Sequence, residues 1–136
     1  MVFTSTKPTT YIIDGHNFVR SCLMARPENE EAVTKEFLDW LEEISDTPAY
    51  QGSFFRVIFD GAYRPVGPTL RRAIKVTFAE NVTADELIFE QAQYLYNNGE
   101  RVKVVTSDRR LQEDLREAGV KTMFCQKFYD KLQNVK

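Results

Sequence analysis

The chain is short of the residues that staple or metallate small scaffolds. Its 136 residues include two cysteines and a single histidine. Cys22 and Cys125 stand far apart with no C-x-x-C spacing. Metal and redox roles are therefore set aside, and both read as buried or half-buried thiols of a reducing cytosol. No stretch approaches the ~18 apolar residues that a membrane-spanning helix needs. Met1 to Thr10 is polar and lacks the apolar core of a secretion signal. These absences describe a soluble, cytoplasmic protein with no membrane partner. Positive charge is also missing in bulk, since the formal net charge is −2. That excludes nucleic-acid binding through overall charge, while a local Arg/Lys patch or bound cations remain able to neutralise phosphate. Repeats, low-complexity tracts and linkers are absent too. The length suits one domain with a real core, taken as residues 1–136, and is too short for two.

What is present is an alternation of strands and helices. TYIID, ending at Asp14, is apolar without alternation, as befits a strand buried on both faces. A short helix is predicted over Asn17–Met24 and a longer one over Pro27–Ser45, where Val33, Phe37, Trp40, Leu41 and Ile44 recur at helical spacing. Phe54–Phe59 reads as a second strand. Tyr63–Thr69, carrying Pro65, Gly67 and Pro68, reads as a loop. A third strand is expected at Ile74–Phe78, followed by a helix at Thr83–Tyr96, opened by a T-x-x-E capping box (Thr83, Glu86) and stopped by Asn98-Gly99. Val102–Thr106, Arg109–Ala118, Lys121–Cys125 and Gln126–Val135 complete the series as strand, helix, strand, helix. Such alternation predicts an α/β fold whose sheet is mostly parallel, with helices on both faces.

Acids occupy a recurrent place in this pattern. Asp14, Asp60 and Asp108 each follow an apolar run, and Asp85 opens a helix. In a parallel α/β sheet these positions share the carboxyl ends of the strands, where ligands bind. Carboxylates gathered there repel one another unless protons or a cation neutralise them. Hard oxygen donors suit Mg²⁺ or Mn²⁺. Each acid also has a purely structural account. Asp14 and Asp108 are good helix caps, Asp60 precedes Gly61 in a turn, and Asp85 complements a helix dipole. Three strand ends and one helix start sharing one residue type argue for a common purpose. Asn17 lies within reach of the same face, to hold a metal-bound water or a phosphate oxygen, or simply as a turn residue. His16, the lone histidine, reads either as a base beside the site or as a packed or solvated side chain. Arg64, Arg71, Arg72 and Lys75 flank the loop after the second strand, and Arg109 and Arg110 follow Asp108. Basic residues around an acidic cluster suit a phosphodiester passing over it. Tyr63 and Phe128 are candidates for stacking on bases, with core packing as the alternative.

The segments DGHN, FDG, TADE and TSD, in this order and at this spacing, resemble the NYN domain. Within it they resemble the YacP-like branch of endoribonucleases, whose corresponding motifs are D-G-Y-N, F-D-A, T-A-D and T-S-D. The likeness runs from Tyr11 to about Leu132. It implies a PIN-like three-layer α/β/α fold with a five-stranded sheet in the order 3-2-1-4-5. It also implies a ribonuclease that uses Mg²⁺ or Mn²⁺ and acts on RNA, with the ribosome as a candidate partner. The family's acids fall on Asp14, Asp85 and Asp108, with Asn17 beside them and Asp60 on the F-D element. The chain departs at His16, where Tyr is frequent, and at Arg109-Arg110, which bears on substrate choice and leaves the acidic set intact. Two rivals stand beside this reading. A haloacid-dehalogenase phosphatase would need a second Asp where His16 stands. A non-catalytic RNA- or ribosome-binding module would keep the fold without the chemistry.

Overall fold

The computed structural model describes residues 8–62, 64 and 72–135. Its elements are β1 (Thr10–Asp14), α1 (Gly15–Ser21), α2 (Glu30–Ser45), a 3₁₀ turn (Pro48–Tyr50), β2 (Phe54–Asp60), β3 (Ile74–Ala79), α3 (Ala84–Asn97), β4 (Val102–Val105), α4 (Arg109–Glu117), β5 (Lys121–Met123) and α5 (Cys125–Gln133). The strands form one sheet in the order β3-β2-β1-β4-β5, and every neighbouring pair is parallel. This is the order that the family resemblance implies.

The central strand explains the two-sided burial. All five residues of β1 are buried. Tyr11 and Ile13 enter a core with α1, α2 and α5, where Phe18, Phe37, Phe55 and Phe128 pack. Ile12 points the other way, into a core with α3 and α4 that contains Ile58, Ile88, Val104 and Leu115. Strand side chains alternate between faces, so an unbroken apolar run feeds both layers at once. The first core is rich in aromatic rings: Phe18 and Phe37 stack at 4.7 Å. Phe128 is fully buried there, which makes it a core residue and not a base-stacking platform.

Several boundaries move for local reasons. The first helix begins at Gly15 because Asp14 is its N-cap, and it ends at Ser21. Met24 adopts φ 58°, a left-handed conformation that lets the Ala25 N–H reach Val19 O at 2.9 Å and closes the turn. The second helix begins at Glu30, because Asn29 Oδ1 accepts from the Arg26 N–H at 2.7 Å and holds Pro27 to Asn29 in a turn. The last strand stops at Met123, and Cys125 opens α5. The predicted loop at Tyr63–Thr69 falls, apart from Arg64, outside the described residues.

Candidate functional site

The four aspartates meet at the carboxyl end of the sheet, and Asp14, Asp60 and Asp108 are held there by backbone or side-chain donors. Asp14 ends β1, 8% exposed. Its Oδ1 accepts from the Asn17 N–H at 3.5 Å, the long end of the hydrogen-bond range. Its Oδ2 accepts from the Thr106 hydroxyl at 3.1 Å. Asp108 caps α4 by accepting from the Leu111 N–H at 3.1 Å. Its own N–H donates to Thr106 Oγ1, also at 3.1 Å. Thr106 is fully buried and so ties Asp14 to Asp108. Asp60, at the end of β2, reaches across to α3 and accepts from the Ala84 N–H at 2.7 Å. The turn role expected for Asp60 is thus a cap on a neighbouring helix. Thr83 Oγ1 accepts from the Glu86 N–H at 3.1 Å, one half of the expected capping box. No bond from the Glu86 side chain back to Thr83 is present among the described residues.

The electrostatics follow from that crowding. Burial pushes the Asp14 carboxyl up to about 6, against the opposing hydrogen bond from Thr106, and the charges of Asp85 and Asp60 push the same way. Asp85 is an exposed residue, yet partial burial raises its pKa. The charges of Asp108 and Asp60 add to that rise. Asp60 bears on both raised acids, so Asp14 and Asp85 share a repelling neighbour.

Asn17 has a defined orientation. Its Oδ1 accepts from the Ser107 N–H at 2.7 Å and from Cys125 Sγ at 3.1 Å. An amide oxygen so engaged leaves the Nδ2 donors as the part Asn17 can offer a ligand. Ser107 Oγ also accepts from the Cys125 N–H at 3.4 Å, so the end of β4 and the start of α5 are stitched together under Asn17. Burial pushes the Cys125 thiol up to about 12, and it is a structural thiol.

His16 is neither solvated nor free. Its Nδ1 lies 2.8 Å from Glu30 Oε2, and its Nε2 lies 3.4 Å from the carbonyl of Asp60. Because a carboxylate only accepts, the Glu30 contact places a proton on Nδ1. Arg20 completes the group, donating from Nε and Nη2 to the two oxygens of Glu30 at 3.0 and 3.2 Å. Burial opposes ionisation of Glu30, but Arg20 and His16 outweigh it and the pKa falls. A cavity of about 220 Å³ lies against this group, lined by His16, Glu30, Phe59, Arg64 and Phe78. On the other side of the crest, Asp85, Asp108 and Arg110 line a groove of about 720 Å³ between α3 and α4.

The basic residues separate into two sets. Arg64 lies at the acidic end, donating to the carbonyls of Ala62 and Asp60 at 3.0 and 3.4 Å and resting 4.9 Å over the Phe78 ring. Arg109 and Arg110 open α4 beside Asp108. Arg72, by contrast, precedes β3, and Lys75 is its second residue. In a parallel strand that is the amino end, away from the acids, so these two stand apart from the crest. Arg71 and Tyr63 lie outside the described residues. Sequence reasoning missed Thr106, Glu30 and Arg20. Thr106 stands inside the TSD motif, where only a buried hydroxyl can serve both Asp14 and the Asp108 N–H. Glu30 and Arg20 carry no local signal.

By donor type the crest fits a hard divalent cation. By spacing, no group of three His, Cys, Asp or Glu side chains among the described residues is gathered for ligation. Mg²⁺ commonly takes only one or two carboxylates and keeps several waters, so the two facts are compatible.

Comparison with curated protein sequences gives no match. Among solved structures, the chain is similar to Rae1 (YacP) from Bacillus subtilis, with a TM-score of 0.74 at 22% identity over 91% of this chain and 73% of that one. The W164L mutant of the same protein gives a TM-score of 0.73 at 23% identity, covering 91% and 74%. At such identity the likeness concerns the fold. The model of the YacP-like NYN domain matches residues 11–136, nearly the whole chain, and the protein belongs to that family.

Proposed function

We propose that the chain is a metal-dependent endoribonuclease that hydrolyses phosphodiester bonds of single-stranded or looped RNA. The carrying observation is the buried Asp14, held by Thr106 and repelled by Asp85 and Asp60 at the carboxyl end of the sheet. Membership of a nuclease-type NYN family supports the same class. Asp14, Asp60, Asp85 and Asp108 would hold Mg²⁺ or Mn²⁺, which when bound would supply Lewis acidity and an activated water. Asn17 would direct its Nδ2 donors at a phosphate oxygen or at that water. Arg64, Arg109 and Arg110 would take flanking phosphates. Unpaired RNA fits an acid-lined recess because its backbone bends, whereas a duplex presents a regular surface. The proposal treats residues 1–136 as one nuclease domain acting in the cytoplasm, on ribosome-borne RNA among other sources.

A second reading has an observation of its own. Asp14, Asp60 and Asp108 all serve as helix caps, and among the described residues no three ligating side chains are gathered. A non-catalytic RNA-binding module would look the same. Incubation with assorted RNAs and DNAs, with Mn²⁺ or Mg²⁺ and then with chelator, separates the two. Cleavage of RNA that chelator stops and Asp14→Asn removes supports the nuclease. Binding without metal-dependent cleavage supports the module.

A further inference from the structure

The other end of the sheet carries an arrangement of charge that the proposed reaction does not use. Lys103 on β4 and Lys121 on β5 are register partners on adjacent parallel strands. Their neighbours Val105 and Met123 enter the core beneath α5, so the two lysines share that face. Lys127 and Lys131 stand one turn apart on α5, above the same face. Arg101 precedes β4. Lys103 is half-buried and the other four are exposed. The charges of Lys131, Lys121, Arg101 and Lys127 all bear on Lys103, whose pKa falls through burial first and those four repulsions next.

None of the five has an ion-pair partner among the described residues. The ion pairs among the described residues are His16–Glu30 and Arg20–Glu30, neither of which involves this cluster. Two acids lie nearby: Glu100, and Asp130, which accepts from Gln126 Nε2 at 3.0 Å. Like charges side by side on neighbouring strands destabilise a sheet. Five cations set together in a chain of net charge −2 therefore call for an anion. A cleft of about 190 Å³ opens at the same place, lined by Thr9, Tyr96, Glu100, Arg101, Lys103 and Lys121.

We propose that Arg101, Lys103, Lys121, Lys127 and Lys131 form a second RNA-contact surface, at the amino ends of β4 and β5 and along α5, that grips the phosphodiester backbone of a long RNA. The proposal rests on RNA being the substrate. Cations spread over two strands and a helix fit a polymer with many phosphates better than a single small anion. The α5 helix leads from this patch towards Cys125, which touches Asn17, so one strand of RNA can follow the helix from patch to crest. The patch would add affinity for long RNA without touching the scissile bond.

The test uses the full chain in chelator, with binding of a 30-nucleotide and a 5-nucleotide single-stranded RNA followed by fluorescence anisotropy across a salt series. The variants are Lys103→Gln with Lys121→Gln, and separately Lys127→Gln with Lys131→Gln, which lie on an exposed helix face and spare the core. Each pair should weaken binding of the long RNA about 10-fold at low salt and flatten the log–log salt slope by about 0.7 per lysine removed. The short RNA should bind as before, and its metal-dependent cleavage should keep its kcat. Unchanged affinity and slope for the long RNA in both pairs would overturn the proposal. So would tighter binding of poly-glutamate or anionic vesicles than of RNA. If no RNA is cleaved yet the variants lose long-RNA binding, the nuclease reading falls and the surface stands. If RNA is cleaved and the variants bind like wild type, the surface falls and the nuclease stands.

Discussion

The two ends of this sheet carry opposite charge, and the fold treats them differently. At the carboxyl end, four aspartates crowd together, yet three of them also accept hydrogen bonds from helix N-termini. There the repulsion is partly offset by the positive ends of helix dipoles and by the Thr106 hydroxyl. At the amino ends of β4 and β5 and along α5, five cations gather with no ion-pair partner among the described residues. The difference follows from chain direction in a parallel sheet. Each strand's carboxyl end feeds a helix N-terminus, which welcomes anions, so part of the repulsion among acids gathered there is offset. The opposite end collects helix C-termini, which favour cations but provide no side-chain anion. At one end the charge is partly supported from within, by caps and by Thr106. At the other no such support is present among the described residues.

The largest effect should come from removing that supported charge. Asp85→Asn and Asp108→Asn should each lower RNA cleavage by about 10²-fold or more, as when a group that stabilises charge in the transition state is lost. Steady-state rates with and without chelator measure this. Activity above a tenth of wild type in either would show that the acidic end is a capping device.

The pH dependence of stability comes next. Asp14 has a folded pKa of about 6 against an ordinary 3.8. The native state therefore holds its proton more tightly than the unfolded chain does. The sign follows: this group leaves the fold least burdened below about 4, and stability falls as pH rises through about 6. With about 1.4 kcal/mol per pKa unit, the loss is roughly 3 kcal/mol at pH 7. Denaturant titrations from pH 4 to 7 should show that decline in wild type and a shallower one in Asp14→Asn, where the raised Asp85 remains, and the variant should be the more stable at pH 7 without metal. Divalent cation should raise the melting temperature of wild type and do little for the variant. A flat profile in wild type would mean that the burial of Asp14 costs nothing.

Gly15→Ala sharpens the geometric side. A Cβ at Gly15 would sit 2.4 Å from Phe59 Cε1, and Phe59 is 1% exposed and packed against His16 and Phe78. The ring cannot retreat without disturbing the wall of the His16 cavity. Overpacking of this kind should cost roughly 1–3 kcal/mol, read as a lowered denaturant midpoint.

The smallest effect belongs to Glu86→Gln. The cap of α3 rests on Thr83 Oγ1 and on Asp60, with no return bond from Glu86 among the described residues. The change should cost a few tenths of a kcal/mol through the helix dipole and leave cleavage unchanged. A loss equal to that of Asp85→Asn would mean that the two acids were assigned in reverse.

Hydrophobic pattern and chain order determined most of the architecture. The unbroken apolar runs at Tyr11–Ile13 and Val57–Phe59, with Val104–Val105 beside them, call for burial on both faces, which forces helices above and below a parallel sheet. Acids that end such runs must then share one end, because parallel strands share a direction. What sequence could not give is set by contacts between distant residues. Thr106 reaches Asp14 across 92 positions, and Asp60 caps a helix that begins 24 residues later. His16 is fixed by Glu30 and Arg20, so its isolation in composition says nothing of its surroundings. Arg72 and Lys75 looked like neighbours of the site because they follow the second strand closely in sequence. The crossover to β3 carries them to the amino end of the sheet instead. Local rules act over one or two turns of chain, whereas hydrogen-bond partners, carboxyl pKa values and the pairing of Lys103 with Lys121 depend on how strands are laid side by side. Only the assembled sheet decides those.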